Sequence, residues 1–121
     1  MMTRPVVLAA LLAIAAHGGA WAQQAGTQFM LTAQPGNIQG CIALDPSFSR
    51  PMTVTVEGGT AELRGAGGVR SRMKTVRPNV YEGSLELSGA QIEFVADLGS
   101  SPRTLSATSR NLGCRWRGEV Q

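Results

Sequence analysis

Residues 52–64 read MTVTVEGGTAELR, and this stretch decides the fold. Met52, Val54 and Val56 alternate with Thr53, Thr55 and Glu57; beyond Gly58-Gly59, Ala61 and Leu63 alternate with Thr60, Glu62 and Arg64. A period of two sends successive side chains to opposite faces of an extended strand. A Gly-Gly pair supplies the positive φ that a two-residue hairpin needs. The segment therefore reads as a β-hairpin with one apolar face.

The same pattern continues on both sides. Upstream, Thr27 to Gln34 reads as a strand, Pro35-Gly36-Asn37 as a turn, Ile38 to Leu44 as a second strand, and Asp45 to Arg50 as a polar loop. Downstream, Gly65 to Gly68 makes a turn. Val69, Ser71, Met73 and Thr75 then point inward, with Arg70, Arg72 and Lys74 outward. Tyr81, Gly83, Leu85 and Leu87 oppose Glu82, Ser84 and Glu86. Gly89-Ala90 suits a type II′ turn, and Ile92, Phe94 and Ala96 face in from the next strand. A loop from Leu98 to Pro102 precedes a strand from Arg103 to Ser109. The last strand carries Leu112, Cys114, Trp116 and Val120 on its inner face. No segment keeps a helical period. The prediction is an all-β antiparallel meander of about eight to nine strands closed as a barrel, with a β-sandwich as the alternative.

Register can be argued at Arg77-Pro78-Asn79. A two-residue turn there sets inward residues against outward ones, so a three-residue turn is expected. It places Val76 opposite Val80, Lys74 opposite Glu82, Arg70 opposite Glu86, and Gly83 against Met73. The basic row then belongs to a solvated sheet face.

The N-terminal stretch has the parts of a secretory signal: Arg4, an apolar run from Pro5 to Ala16, and a polar segment closing on Ala20-Trp21-Ala22. The run is too short to span a bilayer as a helix, which takes about 20 residues. Cleavage is expected after Ala22. That leaves residues 23–121 as a single all-β domain with no stable membrane span, located in the periplasm or secreted. The whole chain has a formal charge of +3, which becomes +2 without Arg4. Cys41 and Cys114 are the only cysteines. In an oxidising compartment they are expected to form a disulfide, stabilising the fold by about 4 kcal/mol on the loop-entropy model.

The sole histidine, His17, leaves with the signal segment. Its loss removes imidazole acid–base chemistry, histidine-based triads and the commonest transition-metal ligand. With the cysteines paired, thiolate chemistry goes too. The Gly89-Ala90 turn sets Glu86 opposite Glu93, a pair that reads as solvated sheet surface. Arg115-Trp116-Arg117 invites a nucleic-acid reading, but Trp116 shares its face with Cys114 and should pack inward. Met30, Met52 and Met73 could ligate copper(I), but Met52 and Met73 lie on inward faces and read as core.

The expectation is a non-enzyme with no catalytic residues, cofactor, metal or nucleic-acid partner. It would be a binding or inhibitor-type protein engaging a protein or a small apolar ligand in the cell envelope. Loops on a rigid scaffold commonly carry recognition. The expected contact residues are Asp45, Phe48 and Arg50 in one loop, and Ser100 and Arg103 in another. The alternative function is carriage of a small apolar ligand inside the barrel.

Overall fold

A computed structural model describes residues 26–37 and 39–120. Residues 1–22, expected to be a signal segment cleaved after Ala22, and residues 23–25 lie outside the described residues. The rest forms one antiparallel sheet of nine strands curled into a half-barrel. The strands are β1 (Thr27–Phe29), β2 (Thr32–Ala33), β3 (Met52–Glu57), β4 (Thr60–Arg64), β5 (Arg70–Arg77), β6 (Val80–Leu87), β7 (Ala90–Asp97), β8 (Thr104–Ser109) and β9 (Cys114–Glu119). Their order across the sheet is β1-β3-β4-β5-β6-β7-β8-β9-β2. Sequential antiparallel neighbours are the simplest outcome when short turns join alternating segments.

The founding hairpin is as predicted. Glu57 pairs with Thr60 around Gly58-Gly59, and Val54 pairs with Leu63 on the buried face. Phe29, Met52, Leu63, Met73, Phe94 and Leu105 are fully enclosed. Thr75, Leu112 and Val120, expected inward, are exposed. Thr75 instead donates through Oγ1 to the Gly59 carbonyl.

The segment before the hairpin differs from expectation. Thr27 to Gln34 is two short strands, not one. β1 pairs with β3, setting Phe29 against Met52, and β2 pairs with β9, setting Ala33 against Trp116. Phe29 also bridges to Val120. The chain bends at Met30-Leu31, and a glycine on β9 admits the bend: a Cβ at Gly118 would overlap the Met30 carbonyl.

Ile38 to Leu44 is not a strand either. Ile38 itself lies outside the described residues; Gln39–Leu44 is a 3₁₀ turn that runs into a single α-helical turn, α1 (Asp45–Phe48). Cys41, Leu44 and Phe48 are the buried residues of this segment. Their spacing of three and then four is that of one helical face. The segment lies across one end of the half-barrel and contributes Phe48 to its core.

Two turns differ in detail. At the β6–β7 turn, Leu87 pairs with Ala90, so the corner is Ser88-Gly89 and not Gly89-Ala90. Both corner residues have positive φ, 52° and 81°, as a type I′ turn requires. Moving the turn by one residue shifts the register by two and so preserves the faces: Leu85 meets Ile92 where the expected register set it against Phe94. It does separate the glutamates, with Glu86 opposite Gln91 and Glu93 opposite Ser84.

At the β5–β6 turn, Lys74 faces Glu82 and Thr75 faces Tyr81 as predicted, but Arg77 pairs with Val80. The corner is therefore Pro78-Asn79, with Asn79 at φ 64°, and a bulge at Val76 restores the parity that a two-residue turn breaks. Val76 does not face Val80. Nor does the ladder reach Arg70 and Glu86: Arg70 Nη2 lies 3.2 Å from Glu62 Oε2. Ser71 Oγ donates to the Ser84 carbonyl at 3.1 Å where the ladder has ended. Gly83 sits close by, as expected, where a Cβ would lie 3.0 Å from Met73 Cγ and 2.8 Å from the Arg72 carbonyl.

Candidate functional site

Because successive strands are antiparallel, the β3–β4, β5–β6 and β7–β8 connections share one end of the half-barrel. The β4–β5, β6–β7 and β8–β9 connections share the other. Asp45 to Arg50 leads into β3 at the second end, whereas Leu98 to Arg103 is at the first. The two loops expected to carry contacts therefore do not form one surface.

The second end is filled. Cys41 and Cys114 are bonded, with Cα atoms 5.7 Å apart, which ties the 3₁₀ turn to β9. This bond is compatible with an oxidising compartment. Asn37 reinforces the tie, donating to the Arg115 carbonyl and accepting from the Arg115 N–H, both at 2.9 Å. The Phe48 ring centre lies 4.5 Å from that of Trp116 and 6.0 Å from that of Phe94. Trp116 thus packs inward, as its pattern predicts. Phe48 is wholly buried, so its ring offers nothing to a partner. Asp45 accepts from the Trp116 indole. Arg50 is exposed beside a shallow hollow of about 210 Å³ that it shares with Pro46, Ser47 and Gly67.

Among the described residues, the first end is open. Val54, Val56, Tyr81 and Leu98 line a concavity of about 280 Å³, with Thr27, Asn79 and Arg103 also contributing. Val54 and Tyr81 are buried in its floor, and Val56 is 37% exposed. The loop beside it is held by its own polar groups. Asp97 Oδ1 accepts from the N–H groups of Gly99 and Ser100, each at 3.1 Å. Ser100 Oγ donates to the Pro102 carbonyl at 2.8 Å, so Ser100 braces the loop. The Leu98 N–H donates to the Asn79 carbonyl at 2.8 Å, joining the loop to the β5–β6 turn. Arg103 Nη1 donates to Thr27 Oγ1 at 3.0 Å, which sets the guanidinium at the rim. Of the five expected contact residues, Arg103 alone belongs to this mouth. Leu98 opens the loop expected to carry contacts, whereas Tyr81 and Val56 are not among the expected residues, although both sit near strand ends at the same end of the meander.

A larger groove, about 520 Å³, lies on the outer face of β6 and β7, lined by Glu82, Ser84, Glu86 and Glu93 with Lys74 and Arg110 at its edges. Arg110 Nε meets Glu93 Oε1 at 3.2 Å. Its charges are mixed and its carboxylates dispersed. Among the described residues no cluster of three or more His, Cys, Asp or Glu could hold a metal ion, and no helix is long and apolar enough to cross a membrane. Glu62 on β4 is a carboxyl held below its ordinary range. The hydrogen bond from Arg64 lowers its pKa, desolvation opposes this, and Arg70 adds to the lowering. That group belongs to a surface ion-pair cluster on β4 and β5, away from the mouth.

No family model matches the chain, and no curated protein or solved structure does either. Fold and site together define a disulfide-tied β half-barrel, filled at one end and open to a shallow apolar mouth at the other.

Proposed function

We propose that residues 1–22 direct export and are removed after Ala22, and that the remaining chain is a non-enzymatic binding or inhibitor-type protein of the periplasm or the extracellular space. Its partner is a protein, met at the mouth. One observation carries this reading: Val54, Val56, Tyr81 and Leu98 form an apolar concavity with a guanidinium at its rim. Apolar anchors set beside an arginine are the usual make-up of a protein-binding surface. We further propose that the sheet closes as a barrel through residues 27–33. β1 and β2 stand at opposite ends of the strand order, yet only Met30 and Leu31 separate them in the chain. The carrier reading has less support, because Phe29, Met73, Phe94 and Leu105 occupy the interior.

The test has two parts. The intact mass of the exported protein should match a chain beginning at Gln23 and be two hydrogens short of the reduced form. A photo-crosslinking residue at position 56 should then capture one discrete envelope protein, with the product lost on Leu98→Asp. An uncleaved mass ends the export reading. A crosslink pattern identical to that from an outer-face position such as Arg117 ends the mouth reading.

A further inference from the structure

Tyr81 is 7% exposed, and its hydroxyl makes no hydrogen bond to another described residue. No side-chain polar atom among the described residues is both buried and unpartnered. The concavity that Tyr81 lines is the mouth. A tyrosine and an arginine thus both line one small apolar cup. Arg103 spends one N–H on Thr27, which fixes its direction, and a guanidinium carries five such donors in a planar fork suited to a carboxylate.

We infer that the mouth takes the C-terminal residue of a partner polypeptide when that residue is apolar: the carboxylate at Arg103 and the Tyr81 hydroxyl, the side chain between Val54, Val56 and Leu98. This rests on the binding reading above and narrows it. The size of the cup favours a terminus over an internal segment. A terminal residue carries its carboxylate and its side chain on one Cα, so both fit a space of about 280 Å³. In an extended internal segment, adjacent apolar and acidic side chains point to opposite faces. Residues two apart share a face but stand about 7 Å from each other at a rise of ~3.4 Å per residue, too far for both to enter. Capture of a C-terminal carboxylate is a recurrent mode of peptide recognition.

The test uses the exported, disulfide-bonded protein and N-acetylated pentapeptides ending in Leu, Val or Phe, each as free acid and as C-terminal amide, titrated by calorimetry and by amide chemical shifts. At least one free acid should bind saturably and shift residues of the mouth. Its amide should bind on the order of tenfold more weakly, since charge-assisted hydrogen bonds are lost. Arg103→Gln and Tyr81→Phe should each weaken the acid and leave the amide unchanged, whereas Val56→Asp should abolish both. Arg117→Gln, on the outer face, should bind like the parent. Failure of every free acid to bind, or equal binding of acid and amide, overturns the inference. If position 56 still crosslinks a partner in that event, the binding reading survives with an internal segment as the occupant. If it does not, both fall together.

Discussion

The indole N–H of Trp116 donates to Asp45 Oδ1 at 2.7 Å, across 71 residues of sequence. Trp116 is 2% exposed, so its N–H has no water to fall back on, and buried donors need partners. The bond locks the α1 turn onto β9 beside the disulfide. An aspartate that reads in sequence as part of a polar recognition loop is therefore a structural acceptor. Asp45→Ala should cost about 2 kcal/mol, in the range for a buried donor left unsatisfied. Asp45→Asn keeps an acceptor and should cost less. Urea denaturation of residues 23–121 in disulfide-bonded form, followed by Trp116 fluorescence, gives both values. Equal stability of parent and Asp45→Ala would show that the indole has another partner.

Cys41 and Cys114 are 73 positions apart. Closing so long a loop in the unfolded chain stabilises the native state by about 4 kcal/mol on the entropy model. The paired variant Cys41→Ser with Cys114→Ser should lose a comparable amount. Asn37, Asp45 and Phe48 still hold the 3₁₀ and α1 segment in place. The variant should therefore keep the far-ultraviolet dichroism of a β protein at low temperature while its thermal midpoint falls. A midpoint unchanged within error would mean that the bond does not form in the parent protein.

The sheet was legible in the sequence because a period of two survives errors of register. Misplacing the β6–β7 turn by one residue shifts the register by two, which leaves Leu85 and Ile92 on the same face. The Val76 bulge was illegible, because two departures cancelled: a two-residue corner breaks the alternation and the bulge restores it. Cys41, Leu44 and Phe48 carried a helical spacing, yet three points over eight residues are too few to outweigh neighbouring β patterns. Phe48 consequently read as loop surface, though it is fully buried. The mouth was legible only through the loop from Leu98 to Arg103. Its other walls come from β3 and β6, and only curvature brings them together.

Gly118 tests the bend at Met30-Leu31. An added Cβ would overlap the Met30 carbonyl and come within 2.8 Å of the Met30 carbonyl carbon, with Leu31 Cδ2 at 3.1 Å. Backbone atoms cannot swing aside as a flexible side chain does, so Gly118→Ala should force residues 30–33 off β9. A loss of about 1–3 kcal/mol is expected, the usual range for overpacking. Faster amide exchange should appear at Thr32 and Ala33 first. Gly59→Ala, with nothing within 4 Å of the added carbon, is the control and should be nearly neutral. Comparable losses in the two variants would refute the close approach at Gly118.

Glu62 sets the expected response to acid. Arg64 stands opposite Arg70 across β4 and β5, a like-charge pairing that is unfavourable alone. Glu62 lies between them, bonded to Arg64 and, at 3.2 Å, to Arg70. Its pKa is lowered from the ordinary 4.5, chiefly by the Arg64 hydrogen bond and, beyond the opposing desolvation, by Arg70. A carboxyl with a depressed folded-state pKa binds its proton more readily in the unfolded chain. Its contribution is therefore fully present above pH 4.5 and is lost as pH falls through the folded value. The side chain keeps 31% of its surface exposed, and salt screens such pairs, so the effect should be small and should shrink further in high salt. Glu62→Gln cannot titrate and leaves the two arginines facing each other without a counter-charge. Measured by chemical denaturation at pH 7 and pH 3, the parent should lose more stability on acidification than Glu62→Gln does. The two proteins should converge at the lower pH. An equal loss in both would place the acid sensitivity at other carboxylates and leave the Glu62 cluster energetically silent.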